Sequence, residues 1–209
     1  MIKFLGRLVQ ALRELRNLGR YAAILEAKSI ARRMFVTNSF DGLLSSLGVL
    51  LGSYIAGEES IGSYIGAIIG ASFSLGFFSG FVATFLSERA ERLRELRRTE
   101  QAMARPLSDT IYGKAARAVP LYVSIWSGIG AAVLPAVGAS PLLLARLGIL
   151  TASIRTLVFS SAAVMLAELF LIGVYLGRIS GENPLVSGLR TAAIGLAAVA
   201  LFTLIGIAR

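Results

Sequence analysis

The sequence predicts an all-α integral membrane protein: five transmembrane helices with an N-terminal amphipathic helix and a cytoplasmic extension of the second span. Three observations predict it. The 209 residues are 56% hydrophobic and only 16% charged, with a mean hydropathy of +0.74, too apolar for a soluble domain of this size. The apolar residues fall into five runs, each near the ~20 residues needed to cross a ~30 Å hydrocarbon core. The basic residues behind the net charge of +9 gather in blocks between those runs, where they orient a membrane protein rather than bind nucleic acid.

Along residues 1–33, Leu5, Leu8, Leu12 and Leu15 recur at helical spacing opposite Lys3, Arg7, Arg13 and Arg20, which predicts a basic amphipathic cytoplasmic helix. It lies either in the headgroup region or against the protein's own cytoplasmic face. The same arginines interrupt any apolar core of a cleavable signal, so the segment is expected to stay on the protein. The membrane domain, 34–209, opens with a span at about 34–57, followed by the acidic turn Gly57-Glu58-Glu59-Ser60. The second span, about 61–86, runs without a breaker into Ser87-Glu88-Arg89-Ala90-Glu91-Arg92, where Glu88 and Arg92 stand four apart; the helix should therefore continue into water.

Pro106 and Gly113 mark a loop before the third span, about 119–137, which contains Pro135. In the connector 138–155 the stretch Leu142 to Leu150 is too short to span and reads as re-entrant or interfacial. The fourth span covers about 156–176, a turn from Gly177 to Pro184 reverses the chain, and the fifth covers about 189–207.

Eighteen Lys and Arg fall on one side of these spans and three, Arg146, Arg155 and Arg209, on the other. The protein is therefore expected in the cell membrane, multi-pass, with the N-terminus cytoplasmic and the C-terminus outside. Span one carries Ser45, Gly48, Gly52 and Ala56 at three- and four-residue spacing. Span two carries two such stripes, Gly62, Gly66, Gly70, Ser74 and Gly76, Gly80, Thr84. Small residues at this interval let helices approach closely in lipid, so spans one and two are expected to form the tight centre of the bundle, within the chain or across a two-fold axis.

Two carboxylates fall at membrane depth: Asp41 in span one and Glu168 in span four, with Met165 one turn before it. An intramembrane acid is by default a functional-site candidate, and a thioether beside a carboxylate suits a borderline divalent metal ion. The plainer alternative is a neutral buried acid and a methionine filling space. Glu88, Glu91 and Glu95 line one face of the cytoplasmic extension, either as a cation-collecting ridge at a pore mouth or as a salt-bridged, solvated helix. Cys and His are both absent, which excludes disulfides, thiolate metal sites and the commonest general base. With no nucleophile elbow and no phosphate-binding loop, neither catalysis nor a resident cofactor is expected.

Asn38-Ser39-Phe40-Asp41-Gly42-Leu43 opening span one, the Gly/Ser-rich second span entering a charged helix, Leu134-Pro135 late in span three, and the closing Gly177-Arg178-Ile179-Ser180-Gly181-Glu182-Asn183-Pro184 together resemble the vacuolar iron transporter family, over roughly residues 35–209. The resemblance implies a five-helix homodimer in the lipid bilayer that moves Fe²⁺ or Mn²⁺ out of the cytosol in exchange for protons, with Asp41 on the ion path. That family also places a Glu and a Ser-Met-Gly motif on span two. Here Ser74-Leu75-Gly76 or Gly76-Phe77-Phe78 stands in their place, and Glu168 with Met165 would supply ligands from another helix. The expected function is thus proton-coupled divalent-metal transport in metal homeostasis, the alternative being a non-transporting membrane scaffold that binds lipid or a partner.

Overall fold

The computed structural model describes Tyr21 and residues 26–207, so the N-terminal amphipathic segment predicted for 1–33 lies, up to its last turns, outside the described residues. The described chain is helical, with no strand among its residues. The helices are α1 (Ala27–Ile55), α2 (Ile61–Met103), α3 (Ile111–Gly138), the short α4 (Ser140–Arg146), α5 (Ile154–Ser180) and α6 (Pro184–Ile207). Apart from α4, each contains a stretch long and apolar enough to cross a membrane.

Local chemistry sets the helix ends. Ser60, Thr110 and Ser153 begin α2, α3 and α5 with side-chain oxygens that accept from the backbone N–H three residues on. Asn183 Oδ1 accepts from Leu185 N at 3.0 Å, ahead of a helix whose first residue is Pro184. The turn after α5 uses Gly181 in the left-handed region (φ 75°), which a side chain would strain.

Helix bounds shift where hydropathy alone cannot see them. α1 begins at Ala27, so residues 27–33 belong to the first long helix; α3 begins at Ile111, eight residues before its apolar run. The extra turns are polar helix continuing past the apolar core. As expected, α2 runs on through its charged extension to Met103. That extension packs back on the start of α3 through Leu96, Leu107 and Ala116. Arg92 is buried there between Glu88 (3.7 Å) and Glu95 (2.7 Å).

The helices alternate in direction. α1 and α3 run parallel, joined from Phe35 against Trp126 to Gly42 against Ala131. α5 runs antiparallel to α1, with Tyr54 edge-on to Phe159 at 5.8 Å, and α6 folds back on α5. The main core is formed by Leu43, Leu47 and Leu50 of α1, Tyr64 and Ile68 of α2, and Leu157, Val158 and Leu169 of α5. Leu142 of α4 is fully buried in that cluster, so the connector stretch divides: its helix docks on the bundle, while Leu147 and Ile149 are exposed.

Within the chain, spans one and two do not form the expected tight centre. α1 lies chiefly along α3, and the second small-residue stripe of α2 also packs on α3. A Cβ at Gly76 would lie 2.7 Å from Ala132 Cβ, and one at Gly80 would lie 3.0 Å from Gly128 Cα. The first stripe faces outward: a Cβ at Gly66 or Gly70 would meet nothing within 4 Å. Small-residue spacing marks a face suited to close approach but does not say which helix approaches.

Between Ser74 and Ala83, α2 widens into a π-helix. Along this stretch Phe73, Phe77, Phe81 and Phe85 stack ring on ring, with centroids 5.5, 6.1 and 6.4 Å apart. The widened turn brings residues four apart nearly into line, and π-helical turns inside α-helices concentrate at functional sites.

Candidate functional site

Asp41 sits midway along α1 on its outward face, exposed, in line with Thr37 and Ser45. The ion pairs among the described residues are Arg92 with Glu88 and Glu95, Arg94 with Glu91, and Arg190 with Glu182; neither Asp41 nor Glu168 takes part. The neighbouring Gly42 has a steric reason. Pro135 has no N–H, so the Ala131 carbonyl loses its partner four residues on. That oxygen faces α1, where a Cβ at Gly42 would lie 2.7 Å from it. The glycine lets α1 cross α3 at this point, and it places Asp41 one residue around the helix, away from the contact.

Glu168 is in a different setting. It is mid-helix in α5, 7% exposed, and its Oε2 is buried without a hydrogen-bond partner. Met165 is fully buried one turn away, and both side chains press on Gly138 at the end of α3, where a Cβ would lie 3.2 Å from Glu168 Oε2. Ser161, two turns before Glu168, is likewise buried with an unpartnered hydroxyl. One face of α5 thus carries a hydroxyl and a carboxyl oxygen without hydrogen-bond partners among the described residues, with the Met165 thioether between them. Burying such groups unpaired costs free energy, so each calls for an explanation.

The structure therefore brings Glu168 and Met165 together but holds Asp41 apart from them. Antiparallel pairing of Tyr54 with Phe159 places Glu168 roughly one helical turn beyond Asp41, an axial offset of ~6 Å. Asp41 is exposed and Glu168 is sealed in packing. Glu88, Glu91 and Glu95 remain on the extension of α2, each engaged by an arginine, the arrangement of a salt-bridged helix. Among the described residues no three acids converge as a metal-binding group.

A polar seam joins three helices at one level. Asn38 Nδ2 donates to Met34 O (3.0 Å) and to Ser127 Oγ (2.9 Å), and Ser127 Oγ lies 3.1 Å from Thr84 Oγ1. Both amide hydrogens of Asn38 are thus engaged, leaving its carbonyl oxygen as the free acceptor. Beside the seam a cleft of about 280 Å³ is lined by Met34, Asn38, Ser79, Thr84, Ser87 and Glu88, at the end of the π-helical stretch and one turn from Asp41. Asn38 was visible as a polar residue in an apolar run, but its partner lies 89 positions away, and only the parallel pairing of α1 with α3 joins them.

No family model matches the chain, and no solved structure matches it. It is similar to an uncharacterized protein of Methanocaldococcus jannaschii, MJ0645, being 29% identical over 173 residues that cover 81% of this chain and 85% of the relative.

Proposed function

We propose that the chain is a multi-pass membrane protein that carries divalent metal ions, Fe²⁺ or Mn²⁺, out of the cytosol in exchange for protons. The Arg-rich ends of its helices face the cytoplasm, and the C-terminus lies outside. The observation that carries this reading is Asp41: a carboxylate midway along an apolar helix, exposed on an outward face, with no partner among the described residues. At the centre of a bilayer an acid costs roughly 2.5 to 3.5 kcal/mol on insertion scales, so such a residue lines a hydrated path or an interface.

The open face of α1 around Asp41 and the unfilled stripe Gly62, Gly66 and Gly70 of α2 fit a homodimer whose interface shelters the ion path. A polar cleft lined by Asn38 lies one helical turn from Asp41 along α1. The ordered motifs resembling the vacuolar iron transporter family support the same reading. Asp41 would bind the partly dehydrated ion, and protonation would release it as the protein alternates between inward and outward forms.

A second reading is favoured by one observation: Asp41 and Glu168 do not face a shared cavity, and Glu168 is sealed against Gly138. On that reading the protein is a non-transporting membrane scaffold. Flux of Fe²⁺ and Mn²⁺ into proteoliposomes at two pH values separates the two. Transport requires that Asp41→Asn lower flux at least about tenfold, the loss of ~1.4 kcal/mol of ion binding. Undiminished flux in that variant, or no flux from the wild type, sinks the transporter reading.

A further inference from the structure

At the Arg-rich end of the bundle two clefts lie beside α1, and Arg32 lines both. One, of about 340 Å³, is walled by Lys28, Arg32, Phe35, Tyr122, Trp126 and Tyr175. The other, of about 530 Å³, adds Arg33 with Val36, Leu176 and Ile179. No Asp or Glu lines either cleft, and Lys28, Arg32 and Arg33 enter no ion pair among the described residues. The aromatic wall is built: Trp126 stands edge-on between Phe35 (6.2 Å) and Tyr122 (6.5 Å), yet stays 43% exposed on the outside of the bundle.

The chemistry changes in order along α1. Cations come first at Lys28, Arg32 and Arg33, then rings at Phe35 and Trp126, while Val36, Leu176 and Ile179 are aliphatic. Cations thus stand outermost with rings and aliphatic side chains together beside and below them, which suits a charged headgroup over the interfacial and acyl portions of a lipid. A guanidinium offers paired donors matched to phosphate oxygens, and basic pockets between membrane helices hold anionic headgroups.

We propose that Lys28 and Arg32, with the aromatic wall of Phe35, Tyr122 and Trp126, form a binding site for the phosphate of an anionic phospholipid. Its acyl chains lie along the outer surface between α1, α3 and α5. This inference rests on the membrane reading above but not on metal transport.

Trp126 is the chain's single tryptophan, so its fluorescence reports on this site alone. The full chain is reconstituted in phosphatidylcholine vesicles containing increasing fractions of brominated phosphatidylglycerol or brominated phosphatidylcholine. Half-maximal quenching is expected at an anionic-lipid fraction about tenfold lower than for the neutral lipid. Lys28→Ala with Arg32→Ala brings the two curves together. Arg89→Ala with Arg97→Ala removes the same charge from the exposed extension of α2 and leaves them apart. Coincident curves in the wild type, or equal loss of preference in both double variants, overturn the site. Reversal of the preference by excess inorganic phosphate identifies a free-anion site and overturns the lipid assignment. No quenching by either lipid overturns the membrane reading as well.

Discussion

The contact between α2 and α3 makes a quantitative prediction, because its two flanks carry the same residue type in opposite surroundings. At Gly76 an added Cβ would stand 2.7 Å from Ala132 Cβ and 3.0 Å from the Gly128 carbonyl; at Gly80 it would stand 3.0 Å from Gly128 Cα and 3.1 Å from Ser127 O. These neighbours are backbone atoms and a Cβ, with no rotamer to change. Restoring an ordinary 3.4 Å contact at Gly76 therefore requires the helices to part by about 0.7 Å. A gap of that order forfeits roughly a quarter to a half of the dispersion energy of the atoms lining it. Gly76→Ala and Gly80→Ala should each destabilise by about 1 to 3 kcal/mol, the usual range for overpacking. At Gly66 and Gly70 an added methyl meets nothing within 4 Å. There the substitution should be neutral or stabilise by up to ~1 kcal/mol through helix propensity. Unfolding of the detergent-solubilised monomer, followed by circular dichroism, measures all four. If Gly66→Ala costs as much as Gly80→Ala in the monomer, the assignment of the two stripes is refuted. A cost at Gly66 that appears only as protein concentration rises locates that stripe in a dimer interface.

Two further outcomes follow from single sites. Gly138→Ala should destabilise by about 1 to 3 kcal/mol, because the new methyl falls against both Met165 and Glu168. Unfolding midpoints check it, and a midpoint equal to that of the wild type would show that the two side chains are not held there. Thr110 accepts from Gly113 N at 3.3 Å and donates to Leu107 O at 2.6 Å, closing the turn between the α2 extension and α3. Thr110→Ala should cost about 1 kcal/mol, and hydrogen exchange should show faster exchange at the first turn of α3 and little change elsewhere.

Residue order alone determined the number and approximate place of the long apolar helices. Each run of about twenty apolar residues must satisfy its backbone internally if it meets lipid, so helix is the only local answer and its length is read directly from the chain. The continuation of α2 through Glu88 and Arg92 was legible for a similar reason: i,i+4 charge pairing is a local property. The candidate acids Asp41 and Glu168 were legible because a charge in an apolar run stands out whatever its partners.

Tertiary structure decided what each of these residues meets. Gly76 and Gly80 were indistinguishable from Gly66 and Gly70 by spacing, yet one pair is packed on α3 and the other is open. Asp41 and Glu168 both stood out as acids in apolar runs, yet one is exposed and the other sealed. The Asn38, Ser127 and Thr84 seam was invisible for the same reason. The physical cause is common to all three: helix propensity and hydropathy act within a few turns, whereas packing depends on which helices lie side by side. In this bundle that choice is made by close approaches such as Gly42 at the freed Ala131 carbonyl.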